Sequence, residues 1–308
     1  SGARLVRARA STRLLSSRTR TVTRAAAMEP PPKRAGVSKA AVGQMRATND
    51  LEANFETCST LARAAASQGC SILFLPECFA YIGMAGIDAL AVMEPLDGPL
   101  MARYRQLAKD TGVWLSLGGF PETGPDADHR YNTHVLVDSD GDVRASYRKI
   151  HLFDVDLPDG NTYRESATVD AGGERPPVVN VPGLCRLGVS ICYDVRFPEL
   201  YRHLADAGAD LLMIPAAFTA FTGKDHWQVL LQARAIENTA YVLAPAQTGL
   251  HYGRRQSHGH AMVIDPWGTV LADAGVQPGA AVAPVNSAHV GHIRAQMPSL
   301  RHRQPALF

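Results

Sequence analysis

Short, unbroken apolar runs alternate along this chain with stretches in which apolar residues recur every three or four positions. The segments at residues 40–48, 71–75, 113–117, 178–181, 184–191, 211–215 and 241–246 are too short for helices and predict strands. Those at 71–75, 187–191 and 211–215 are too apolar for half-exposed strands and predict burial on both faces. Leu51, Phe55, Cys58 and Leu61 predict a helix capped by Asn49 or Asp50, running to about residue 67 and ended by Gly69. Leu100, Tyr104 and Leu107 predict a helix after Pro99; Leu200, Leu204 and Ala207 predict one opened by Pro198-Glu199. Residues 227–239 predict a further helix, carrying Arg234 and Glu237. Residues 131–137 and 143–147 predict a hairpin turned by Asp138-Ser139-Asp140-Gly141. Residues 260–265 and 269–272 predict another across Pro266-Trp267-Gly268. Residues 154–173 read as a polar loop, and 289–308 as a basic tail without a core face. Buried strands alternating with helices predict one α/β domain over residues 35–308, with a mixed sheet or two stacked sheets flanked by helices.

Charge sets the first 34 residues apart. The chain has 31 Lys and Arg against 29 Asp and Glu. Residues 1–34 hold nine of those bases and one acid, Glu29, which leaves 22 bases and 28 acids beyond them. The basic, Ser- and Arg-rich leader has the composition of a mitochondrial or plastid transit peptide. A second start at Met28 would give a product without most of it, expected in the cytoplasm. The mildly acidic remainder argues against a nucleic-acid partner. No apolar run reaches the length that spans a bilayer, so no membrane partner is expected. Five cysteines, odd in number and without a CxxC pair, point away from a disulfide framework.

Candidate chemistry gathers at strand ends. Glu77, Lys149 and Cys192 each follow a run that reads as a buried strand, and α/β folds collect their sites at the carboxyl ends of strands. At Cys192 a strand turns sharply into a helix, which is a nucleophile-elbow arrangement. The helix dipole there would favour thiolate; a structurally buried cysteine is the alternative. A thiol, a carboxylate and an ammonium are sufficient for acyl transfer. Glu77 would take the thiol proton, and Lys149 with the Tyr193 backbone N–H would hold the oxyanion. His251, His258 and His260 lack metal-type spacing, so no metal is expected. No Gly-rich phosphate loop is present, and no cofactor is expected. Arg254-Arg255 reads as a solvated turn, and Cys58 and Cys70 as core.

Three motifs stand in order: Phe74-Leu75-Pro76-Glu77, Tyr147-Arg148-Lys149-Ile150-His151-Leu152-Phe153, and Ile191-Cys192-Tyr193-Asp194-Val195-Arg196-Phe197-Pro198-Glu199. Together they resemble the catalytic motifs of the nitrilase (carbon–nitrogen hydrolase) superfamily. The Arg-Phe-Pro-Glu continuation, His226-Trp227, residues 233–238 and residues 257–268 are similar to its omega-amidase-like branch. The resemblance implies a four-layer α-β-β-α sandwich, with Glu77 as general base, Lys149 as oxyanion stabiliser, Cys192 as nucleophile and Glu165 as a supporting acid–base group. It implies an α-keto acid amide as substrate, deaminated glutathione first and 2-oxoglutaramate or 2-oxosuccinamate as smaller alternatives. Arg196 would grip the keto-acid carboxylate, unless Asp194 or Glu199 holds it in a salt bridge, and Phe218 and Thr222 would line the pocket. It also implies a homodimer or higher homo-oligomer, paired through the helices near Arg202 and Trp227. Gln228 stands where the branch commonly has Glu, which leaves the exact substrate open. A non-catalytic interaction protein on the same fold is the remaining alternative.

Overall fold

The computed structural model describes residues 37–304 and Leu307; the expected leader lies outside them. A nine-stranded sheet runs Arg255–His258, Ala246–Tyr252, Ser38–Met45, Cys70–Leu75, Trp114–Thr123, Arg130–Val137, Val143–Arg148, with Gly279–Val285 and Val169–Asp170 paired off this path. A six-stranded sheet runs Val270–Asp273, Met262–Ile264, Tyr241–Ala244, Leu211–Met213, Cys185–Gly188, Val178–Val181. Strand pairing is mixed in both, parallel at the centre and antiparallel toward the edges.

Alternation along the central strands builds the layers. Ala40, Val42, Ile72 and Phe74 join Leu187, Leu211 and Met213 in a core between the sheets. Their neighbours Ala41, Leu73 and Leu75 face the other way, against helices Leu51–Ser67 and Pro99–Thr111. Helices Pro198–Asp206 and Ala220–Asn238 cover the second sheet through Leu204, Trp227, Leu231 and Ala235. The result is the expected α-β-β-α sandwich. It explains why so many strands read as unbroken apolar runs, because both faces of each central strand are buried.

Several boundaries differ from expectation. The helix expected from residue 227 begins at Ala220, where the Thr219 side chain accepts from Thr222 N. The polar loop at 154–173 holds a hairpin of Asp154–Asp156 with Thr162–Arg164, a 3₁₀ turn Glu165–Ala167, and the short strand Val169–Asp170. The tail is anchored by helix Ser287–Gln296, which buries Val290 and Ile293, while Arg294 grips Asp210 at 2.8 Å. Trp227, expected near an interface, is fully buried and donates to the His260 carbonyl at 2.9 Å. The outward face of its helix instead exposes Val229 and Ile236.

His134 sits buried between the sheets. Its Nδ1 donates to the Ser190 carbonyl at 2.9 Å, leaving Nε2 to accept from the Ser116 hydroxyl at 2.7 Å. Burial pushes this imidazole down to about 4 from an ordinary 6.5. Between those values the unfolded chain holds the extra proton, so stability falls as pH drops through that window. The expected loss from His134 is about 2–3 kcal/mol by pH 4.5. His251, also held near 4 by burial, acts in the same direction. Urea midpoints at pH 7 and 4.5 check this. An unchanged midpoint, or a His134→Gln variant with the same pH slope as the parent, contradicts it.

Candidate active site

The site is assembled where several connections meet at one end of the sheets. Glu77 follows strand Cys70–Leu75, and Lys149 follows Val143–Arg148. Glu165 opens the 3₁₀ turn after the small hairpin. Cys192 is the first residue of a second 3₁₀ turn, Cys192–Arg196, two residues before helix Pro198–Asp206. The strand expected to run to residue 191 ends at Gly188. The Cys192 backbone has φ +45°, a region costing about 1–3 kcal/mol for a non-glycine residue. Its N–H is fixed on the Pro215 carbonyl at 2.8 Å. Beneath the turn, buried Asp194 accepts from Tyr147 Oη at 2.9 Å, from Ile191 N at 2.9 Å and from His151 Nδ1 at 2.8 Å. The His151 ring in turn stacks on Phe197 with centroids 3.6 Å apart.

Lys149 is 1% exposed and its ammonium is shared between two carboxylates, Glu77 Oε1 at 2.9 Å and Glu165 Oε2 at 2.8 Å. Glu77 Oε2 accepts from the Ala217 amide at 3.0 Å, and Glu165 Oε2 also accepts from Phe153 N at 2.7 Å. Asn132 Nδ2 closes the ring, donating to Glu77 at 3.0 Å and to Glu165 at 3.1 Å. A bulge at Gly118-Gly119 makes room for this cluster. A Cβ on Gly118 would strike the Leu75 carbonyl and Pro215, and one on Gly119 would meet Asn132 and Glu77.

Electrostatics assign the resting protons. Burial opposes charge on Glu77, but the Lys149 ammonium and hydrogen bonds from Cys192, Lys149 and Ala217 N bring its carboxyl below the usual range. Burial also opposes charge on Lys149, yet the carboxylates of Glu165 and Glu77 hold it well above its ordinary value. For Cys192, burial and the Glu77 carboxylate push the thiol well up, and Lys149 offsets only part of this. The expected thiolate is therefore corrected. Desolvation by burial, together with the Glu77 carboxylate, outweighs a dipole from a five-residue 3₁₀ turn. The resting site holds a neutral thiol hydrogen-bonded to a charged carboxylate, beside a charged ammonium. That arrangement transfers the proton as the sulfur attacks.

These groups open into a cavity of about 440 Å³. Tyr193, Phe218 and Thr222 line it. Arg196 does not: it stands at the rim behind two wall aromatics, 5.9 Å from the Tyr193 ring centroid and 5.3 Å from that of Phe218. It makes no salt bridge to Asp194 or Glu199, and its contact is His226 Nδ1 at 3.4 Å. Arg254 and Arg255, expected as a solvated turn, line the cavity from hairpin Ala246–Tyr252 and Arg255–His258. Gln228 is exposed and reaches only Gln232, at 3.2 Å, so its departure from the branch lies away from the cavity. Asn132 was not singled out by the sequence. It lies in the polar run Arg130-Tyr131-Asn132-Thr133-His134, where nothing marks the one amide that points at the carboxylates.

Residues 39–295 match the carbon-nitrogen hydrolase family. A deaminated glutathione amidase from Synechocystis is 52% identical over 265 residues, covering 86% of this chain and 97% of the relative. The crystal structure of the C. elegans NitFhit protein is similar at TM-score 0.83 and 44% identity, over 89% of this chain; the chain spans 66% of that longer protein. A mutant of an amidase from Nesterenkonia sp. AN1, with an acetamide group covalently added at its active-site cysteine, is similar at TM-score 0.73 and 30% identity, over 89% of this chain and 96% of that one.

Proposed function

The chain belongs to the carbon-nitrogen hydrolase family, and from that premise we propose that it hydrolyses the amide bond of deaminated glutathione, releasing 2-oxoglutarate and cysteinylglycine. The observation that carries the chemistry is the buried Lys149 ammonium clamped between Glu77 and Glu165, with Cys192 lining the same cavity. The substrate rests on the 52% identity to a relative that carries that activity in its name.

Catalysis runs in two halves. Glu77 takes the thiol proton as Cys192 Sγ attacks the amide carbon. The oxyanion falls between Lys149 Nζ and the Tyr193 N–H, one of the amides at the start of a helical turn that has no partner within it. Glu77 returns the proton to the amine nitrogen, the carbon–nitrogen bond breaks, and cysteinylglycine leaves a thioester on Cys192. Water then gives its proton to Glu77 and attacks the thioester carbon, and the thiol leaves with that proton. Glu165 and Asn132 keep Lys149 and Glu77 in place through both halves. Arg196, which has no carboxylate partner and stands behind Tyr193 and Phe218, is proposed to turn past these rings and take the keto-acid carboxylate by a bidentate contact. We further propose that two copies pair through the outward face of helix Ala220–Asn238, where Val229 and Ile236 are exposed. Residues 1–34 are proposed to direct the longer product to a mitochondrion or plastid.

Incubating the purified protein with deaminated glutathione is expected to release 2-oxoglutarate, with kcat/KM above that for 2-oxoglutaramate. A preference for the small amide would make the protein an omega-amidase instead.

A further inference from the structure

Most half-buried or buried arginines among the described residues close on a carboxylate: Arg103 on Glu52 at 2.7 Å, Arg234 on Glu237 at 2.8 Å, Arg294 on Asp210 at 2.8 Å. Two that line the cavity do not. Arg130, at the start of strand Arg130–Val137, has a buried Nε without a hydrogen-bond partner. Arg255, on the hairpin, reaches only the Tyr252 hydroxyl, at 3.4 Å. Neither forms an ion pair among the described residues. Both are half-buried, and both lie near enough to Cys78 for their charges to act on its thiol. Both therefore face the same cavity, with Cys78 within reach of both charges, whereas Arg196 stands behind the Tyr193–Phe218 wall.

Two guanidinium groups held without a counter-charge at a cavity wall are costly unless a ligand supplies the anion. Glu77 acts on the Arg255 charge without touching it, and the oxygens of Glu77 and Glu165 are taken up by Lys149, Asn132 and backbone amides. The keto acid brings one carboxylate, which Arg196 takes. Deaminated glutathione carries a second, on the glycine at the far end of its leaving group. A cavity of about 440 Å³ has room for the whole peptide and more than a five-carbon amide fills.

We propose that Arg130 and Arg255 form a second anion subsite that binds the terminal carboxylate of the leaving dipeptide, and so select peptidyl amides of the keto acid over its primary amide. This rests on the function proposed above. The subsite recognises the carboxylate as an anion, by paired N–H donors, and not the side chain between the two ends. Arg254, exposed beside Arg255, adds charge to the same side of the entrance.

The test compares deaminated glutathione with the same molecule carrying a C-terminal glycinamide, on the full-length protein. On the unaltered protein, kcat/KM is expected to be on the order of tenfold to a hundredfold higher for the acid, the range of a lost hydrogen bond to a charged group. In Arg255→Gln and Arg130→Gln the acid-to-amide ratio is expected to move toward one, through KM. Equal kcat/KM for acid and amide on the unaltered protein overturns the subsite, and that comparison needs no variant to fold. So does a fall that is the same for acid, glycinamide and 2-oxoglutaramate, which would place these arginines on the keto-acid end. Absence of turnover with all three would instead overturn the function.

Discussion

Cys192→Ala is expected to leave the protein folded and to lower the release of 2-oxoglutarate from deaminated glutathione by about 10⁵- to 10⁶-fold, the scale of losing a catalytic nucleophile. The residue is buried, and the turn that carries it is held by Asp194, Tyr147 and His151 without help from the sulfur. Removing one sulfur therefore changes chemistry far more than stability. The same variant tests the protonation state. With the thiol held well above its ordinary value by burial and by Glu77, the ultraviolet thiolate band of the parent minus that of the variant is expected to be flat from pH 6 to 8. A thiolate signal at neutral pH would sink the route in which Glu77 takes the proton during attack. Full turnover in Cys192→Ala would sink the covalent mechanism altogether.

Lys149→Met is expected to cost both activity and fold. The ammonium is the one positive charge between Glu77 and Glu165, and both lie within 3 Å of it. Removing one partner of such a buried cluster destabilises by about 3–5 kcal/mol, because charge is left without compensation. Losing an oxyanion donor adds about 100- to 1000-fold in kcat. The pH dependence of stability should also change sign. In the parent, the lowered Glu77 value stabilises the fold above the ordinary carboxylate range, and that contribution fades as pH falls. Without Lys149, burial and the facing carboxylates favour retaining a proton, so the folded variant binds one the unfolded chain releases. Its stability then declines as pH rises from 5 to 8. Denaturant midpoints across that range decide the matter; a variant with the parent's pH slope would show that Lys149 does not set the charge of this cluster.

Much of this site is legible before folding because its chemistry sits at strand ends. Buried strands betray themselves as apolar runs, so Glu77, Lys149 and Cys192 stand out as the polar residues that terminate them. Glu165 is different. It lies in what reads as a polar loop, and only the resemblance to a family marks it. Its position depends on a hairpin, Asp154–Asp156 with Thr162–Arg164, too short and too polar to give a period-two signal. Strand Gly279–Val285 escapes notice for a related reason: Gly, Ala and Pro dominate it, and it exists because Ser38–Met45 offers it an edge.

By itself the sequence determined the layered α/β class and the order of the motifs, and through the family resemblance of those motifs it pointed to Cys192, Glu77 and Lys149 as nucleophile, base and cation. The class follows from local periodicity; the roles follow from the resemblance, since spacing alone does not mark a glutamate or a lysine after a strand as functional. Only the tertiary structure decided three further things. It brought Asn132 between two carboxylates from other connections, a meeting that spacing along the chain does not encode. It made the resting thiol neutral, because protonation depends on how completely water is excluded, and that is a property of packing. It also brought Arg130 and Arg255, 125 positions apart in sequence, to one cavity with no ion pair to a carboxylate among the described residues. Periodicity reports which way a side chain faces; it does not report which charges from distant strands are left unpaired where they meet.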